Sequence, residues 1–84
     1  MYYVYVLQSI KYSEKIYIGY TGNLNNRIKQ HNQGLSNYTS RFLPWKIIYY
    51  EAFLTEKLAR TREFRLKTNG NAMIELKKRI NLYK

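Results

Sequence analysis

Between Tyr17 and His31 the chain reads YIGYTGNLNNRIKQH: a tyrosine and a glycine, a short polar stretch, then an arginine and a histidine four residues apart. Each of these residue types brings a distinct chemistry. A guanidinium forks onto phosphate oxygens and keeps its charge at any ordinary pH. An imidazole titrates near neutrality and can accept or relay a proton. A phenol, with an ordinary pKa of ~10, acts as a base at neutral pH only when a neighbour helps it. Charge stabilisation and proton transfer are what phosphodiester cleavage demands, and this segment holds candidates for both.

The chemistry depends on the elements that carry it. Thr21 or Asn23 can cap a helix running to about Asn32, with Gly34 as its stop. Leu24, Arg27, Ile28 and His31 fall at i, i+3, i+4 and i+7, the positions of a core-facing stripe. With Leu24 and Ile28 as anchors, Arg27 and His31 are aimed at one side, along the edge of whatever sheet the helix covers. A snorkelling arginine and a structural histidine are the plainer alternative. Upstream, Ile16 to Tyr20 is β-branched and aromatic and reads as a strand, with Gly19 and Gly22 at its exit. Gly19 lacks a β-carbon and would let a substrate backbone approach; turn chemistry alone accounts for both glycines equally well.

Tyr2 to Leu7 alternates Tyr3, Tyr5 and Leu7 with Tyr2, Val4 and Val6, the pattern of a strand covered on both faces. A polar loop, Ser9 to Lys15, joins it to the next strand. If that hairpin pairs residues of like parity, Tyr5 and Tyr17 project from the same face. Leu35 to Pro44 reads as a connecting loop, whose Tyr38, Arg41 and Phe42 could either stack on bases and pair with phosphates or simply pack. Trp45 to Leu54 forms a third strand, with Ile48, Tyr50, Ala52 and Leu54 on one face and Ile47, Tyr49, Glu51 and Phe53 on the other. Thr55 and Glu56 start a helix that continues to about Thr68. At ~100° per residue Glu63 lies within about 60° of Ala59 and Leu66, so it borders the buried stripe. It is either a salt-bridged helix carboxylate or a ligand for a divalent cation. Asn69-Gly70-Asn71 breaks the chain, and Asn71 can cap a last helix carrying Met73, Leu76, Ile80 and Tyr83.

Composition narrows the partner. Fifteen Lys and Arg against five Asp and Glu give 84 residues a net charge of +10, which favours a polyanion that releases counterions on binding. From Glu56 onward nine basic residues face three acidic ones, so the C-terminal helices carry over half of the surplus. There is no cysteine to staple the fold, and ten tyrosines and three phenylalanines must supply the core. One domain over residues 1–84 is all that this length supports. The N-terminal MYYVYVLQSI is too short to span a bilayer and lacks the charged start of a secretory signal, so the expected location is the cytoplasm.

Tyr3-Val4-Tyr5, then Tyr17-Ile18-Gly19, then Arg27, His31 and Glu63 in that order resemble the GIY-YIG nuclease superfamily, and within it the small stand-alone bacterial proteins. The resemblance covers nearly the whole chain. It implies an α+β fold, a three-stranded antiparallel sheet flanked by about three helices, and a metal-dependent endonuclease acting on nucleic acid, with DNA as the expected form. Carried over to this sequence, Tyr5 and Tyr17 match the motif tyrosines, His31 relays a proton, Arg27 clamps the phosphate and Glu63 holds Mg²⁺ or Mn²⁺. Gly19, Tyr38, Arg41, Arg62 and Lys67 are the expected substrate contacts. Two positions depart from the pattern. Tyr3 replaces the first motif glycine, and the polar residue some members carry in the last helix falls in register at Glu75, with Asn69 or Asn71 reachable by a shift. A basic nucleic-acid-binding module without turnover, or one whose turnover needs a protein partner, is the competing expectation.

Overall fold

The computed structural model describes residues 1–80, which leaves Tyr83 outside the described residues. Three strands, β1 (Tyr2–Ser9), β2 (Ile16–Thr21) and β3 (Trp45–Phe53), form one antiparallel sheet in the order β2-β1-β3. Helix α1 (Leu24–Asn32) follows β2, while α2 (Glu56–Thr68) and α3 (Gly70–Arg79) follow β3. The expected α+β class, with three strands and three helices, is what the chain adopts.

Because β1 is central, both of its faces are buried, as its two alternating apolar sets require. Val4 and Val6 pack on one side with Ala59 and Leu66 of α2 and Leu76 of α3. Tyr5 and Leu7 pack on the other with Trp45, and with Leu24 and Ile28 of α1. Each such aliphatic side chain stabilises the fold by roughly 1.5–3 kcal/mol relative to exposure. In the hairpin Tyr5 lies opposite Gly19 and Leu7 opposite Tyr17, so Tyr5 and Tyr17 are diagonal neighbours on one face, as like-parity pairing requires.

The third strand departs from strict alternation. Val6 pairs with Tyr49 but Leu7 with Ile47, so Ile48 is an extra residue in a bulge. The bulge turns Ile47 to the Leu7 side, whereas Ile48 and Tyr49 both join the Val4 and Val6 cluster. An inserted residue shifts the period by one, which no alternation pattern anticipates.

Caps set the helix limits. Asn23 accepts the Asn26 amide (3.0 Å) at the start of α1, and Gly34 follows its end at φ +78°, the left-handed conformation open to glycine. The Thr55 hydroxyl accepts the Leu58 amide at the start of α2. Asn69, not Asn71, caps α3: its extended backbone ends α2, and its side chain accepts from the amides of Asn71 and Ala72. No helix of the described residues is long and apolar enough to cross a membrane.

Candidate active site

Helix α1 delivers His31 into the interior, where it is 2% exposed. Its Nε2 lies 2.9 Å from the hydroxyl of Tyr5, itself 2% exposed, and its Nδ1 lies 2.8 Å from Thr39 Oγ1. Both ring nitrogens are therefore partnered, as a buried imidazole requires. Thr39 is fully buried and begins a 3₁₀ turn, Thr39–Phe42, inside the segment expected to be an open polar loop. Its carbonyl accepts the Trp45 indole N–H at 2.7 Å. The Asn32 side chain accepts from the Trp45 amide (2.7 Å) and donates to the Trp45 carbonyl (3.0 Å), tying the end of α1 to the start of β3. Sequence reasoning missed Thr39 and Asn32. Neither polar residue carries a local signal that it faces inward.

Burial governs the protonation of the pair. Desolvation, and then the Arg27 charge, push the His31 imidazole below its ordinary value. Desolvation, reinforced by Tyr17 and by Glu63 against an opposing Arg27, pushes the Tyr5 phenol well above its own. Both groups are thus neutral at pH 7. In the tautomer with the ring proton on Nδ1, donated to Thr39, Nε2 accepts the hydrogen bond from the Tyr5 hydroxyl.

A cleft of about 370 Å³ opens beside this pair, lined by Tyr5, Tyr17, Gly19, Arg27, Glu56 and Glu63, with Tyr2, Tyr20, Thr21 and Gly22 completing its wall. Tyr5, Tyr17, Gly19, Arg27 and Glu63, scattered over two strands and two helices, converge here, with His31 behind Tyr5. Gly19 has a different reason from the one expected. A β-carbon on it would lie 2.5 Å from the Tyr5 hydroxyl oxygen and 2.7 Å from its Cζ, so the vacated space is filled by the Tyr5 ring and not by an approaching substrate.

The remaining expected contacts separate. Tyr38 is exposed and stacks on Tyr17, with ring centroids 6.1 Å apart and planes at 27°. Lys67 bridges to Glu63 (3.2 Å) and lies 5.8 Å over the Tyr17 ring. Arg41 is exposed on the 3₁₀ turn and does not line the cleft. Arg62 is not a cleft residue either. It forks onto Glu51 with bonds of 2.8 and 2.9 Å, on the flank of α2 that faces β3. Burial tends to raise the Glu51 carboxyl, but the hydrogen bonds from Arg62 and Tyr49 outweigh it and hold the group below its ordinary value. None of Asn69, Asn71 and Glu75 lines the cleft.

Two carboxylates reach the cleft, Glu63 and Glu56, the latter with the Tyr20 hydroxyl 3.5 Å away. Glu56 figured in the sequence only as a helix-start residue. No group of three or more His, Cys, Asp or Glu among the described residues could enclose a metal. Two carboxylates fit only a cation that takes one or two of them and completes its shell with water and substrate oxygens.

A three-stranded α+β domain that gathers two tyrosines, an arginine and a glutamate at the edge strand, with a buried histidine behind, defines a recognised class. The GIY-YIG catalytic domain family matches residues 1–81, and the chain belongs to it. Among its relatives, the UPF0213 protein CPE1444 of Clostridium perfringens is 41% identical over 68 residues, covering 80% of this chain and 71% of that protein. A UPF0213 protein of Bacillus pumilus is 39% identical over 67 residues, covering 79% of this chain and 66% of its own length. The solution NMR structure of the UPF0213 protein BH0048 from Bacillus halodurans superposes with a TM-score of 0.55 at 28% identity, covering 99% of this chain and 86% of that one.

Proposed function

We propose that this chain is an endonuclease that hydrolyses nucleic-acid phosphodiester bonds, with DNA as its substrate and Mg²⁺ or Mn²⁺ as its cofactor. The observation that carries the reading is the 2.9 Å hydrogen bond between Tyr5 and a neutral His31, at the wall of a cleft that also holds Arg27 and Glu63. Tyr5 is a poor base alone, because burial favours its protonated form. It acts instead as a conduit: its oxygen takes a proton from the attacking water while its own proton passes to His31 Nε2. The water oxygen bonds to phosphorus as the bond to the leaving oxygen breaks, and bulk water reprotonates the leaving group. Thr39 holds the imidazole in the orientation that presents Nε2 to Tyr5. Tyr17, diagonal to Tyr5 on the same face, orients the nucleophile. Arg27 forks onto the non-bridging oxygens where charge accumulates in the transition state. Glu63, with Glu56 nearby, would hold the cation, which supplies positive charge for the leaving oxygen. Lys67, 3.2 Å from Glu63 and over the Tyr17 ring, brings a second positive charge to the edge of the cleft for a phosphate.

The test is nicking of supercoiled plasmid in Mg²⁺ or Mn²⁺, with EDTA as the blank. Glu63→Gln should abolish nicking with the fold intact, and Tyr5→Phe should lower it by roughly 10²–10⁴-fold. Undiminished cutting by Glu63→Gln would refute the assignment. One observation favours the second reading, a binding module without turnover: Glu63 is already partnered by Lys67. That reading requires oligonucleotide binding with no nicking in either metal.

A further inference from the structure

Apart from Glu63 and Lys67, the outer flank of α2 has no role in the mechanism above. At about 100° per residue, Glu63, Lys67, Arg60, Phe64 and Lys57 follow one another within an arc of about 120°, whereas Arg62 lies on the opposite flank, bound to Glu51. A groove of about 670 Å³ runs along this arc, lined by Lys57, Arg60, Thr61, Glu63 and Phe64. It meets the candidate site at Glu63, which lines both. Phe64 is 65% exposed, an unusual state for a ring that size, and it stands between two exposed cations. Among the described residues neither Lys57 nor Arg60 is in a salt bridge.

We infer that this flank is a track for a nucleic-acid strand with unpaired bases: Lys57 and Arg60 neutralise backbone phosphates and Phe64 stacks on a base next to the phosphate entering the cleft. The inference rests on nucleic acid being the substrate, as proposed above, and it names the form. Within a duplex the base faces are covered by their neighbours, so a phenylalanine needs a base outside the stack. A second copy of the chain fits this surface poorly, because it would set Lys57 and Arg60 against another molecule of net charge +10. Nor do Lys57 and Arg60 require a particular base, so the track is expected to tolerate any sequence.

The experiment measures binding in EDTA, where no turnover is expected, of one labelled sequence as a DNA single strand, an RNA single strand and a DNA duplex, from about 50 to 200 mM salt. Lys57→Gln/Arg60→Gln should make the slope of log K against log salt shallower by about 1.4 for a single strand, since each lost contact contributes about 0.7. Lys11→Gln/Lys46→Gln removes the same charge from exposed positions outside both grooves and should leave the slope unchanged. Phe64→Ala should weaken single-strand binding roughly 5- to 150-fold and duplex binding far less. A loss shared by DNA and RNA, or confined to one of them, supports the track and identifies its strand. Equal slope changes in the two double variants would overturn it, as would unchanged single-strand affinity in Phe64→Ala. So would light scattering that shows Phe64→Ala converting a dimer to a monomer. Normal binding by a wild-type chain that never nicks removes the nuclease reading and leaves the track. Intact nicking with binding untouched by these substitutions does the reverse.

Discussion

Gly19→Ala tests the relation between the edge strand and the Tyr5–His31 pair. Two effects oppose each other. Gly19 is a strand residue outside the left-handed region, so alanine reduces the entropy of the unfolded chain and stabilises by about 0.4–1 kcal/mol where it fits. Here it does not fit. The new methyl lies 2.5 Å from the Tyr5 hydroxyl oxygen and 2.7 Å from Cζ, and Tyr5 is a buried ring. Ordinary contact begins at 3.4 Å, so the end of the ring must shift by 3.4 − 2.5, or about 0.9 Å. Overpacking of this kind costs about 1–3 kcal/mol, which leaves a net loss of up to about 2.6 kcal/mol. The shift also comes out of the 2.9 Å bond to His31, and a misplacement of about 1 Å can lower a rate ~10²-fold. Urea denaturation gives the stability change and plasmid nicking the rate. The control is Tyr5→Leu, which lacks the two nearest atoms that the methyl meets and leaves Tyr17 Cε2 at 3.1 Å. In that background Gly19→Ala should cost far less than in the wild-type chain, because only the 3.1 Å contact with Tyr17 remains against the ~0.4–1 kcal/mol entropic gain. If Gly19→Ala stabilises the wild-type chain, or destabilises equally in both backgrounds, the close packing of Tyr5 over Gly19 is not what holds this position.

Three further substitutions probe the surroundings of the site. Thr39→Val keeps the buried shape but leaves His31 Nδ1 without a partner; a cost of about 1–3 kcal/mol is expected in urea, with no change in m-value. Because burial and Arg27 depress the His31 pKa, the unfolded chain takes up a proton that the folded chain refuses as the pH falls below ~6.5. The stabilisation from the neutral ring is complete above that pH and is lost as the pH drops through the folded value, so stability measured from pH 7.5 to 5 should fall less steeply in His31→Gln than in the wild type. Arg62→Gln should lower stability by about 1 kcal/mol, a figure reduced for the part-exposed pair with Glu51, and should leave the salt dependence of oligonucleotide binding unchanged. A shallower slope would return Arg62 to the substrate contacts.

Much of this architecture was legible in the sequence, because the signals are local. The two alternating sets of Tyr2 to Leu7 required a strand covered on both faces, and the like-parity pairing that would put Tyr5 and Tyr17 on one face is the one the hairpin adopts. Angular position alone set Glu63 at the border of the buried stripe, where it is found. His31 is buried on the side of α1 that carries Leu24 and Ile28, whereas Arg27, one turn earlier, is exposed and reaches the cleft.

What the tertiary structure decided concerns which group stands opposite which. Gly19 and Tyr5 are on different strands, and only the register shows that the glycine's missing side chain is the space the tyrosine ring occupies. Thr39 resembles its polar loop neighbours until a 3₁₀ turn carries its hydroxyl under His31. Arg62 and Arg60 are alike as residues of a basic helix, yet the partner Glu51 on β3 engages one and leaves the other on the outer flank. Periodicity fixes the direction of a side chain relative to its own helix or strand. The atom it meets there belongs to another element, and packing alone determines it.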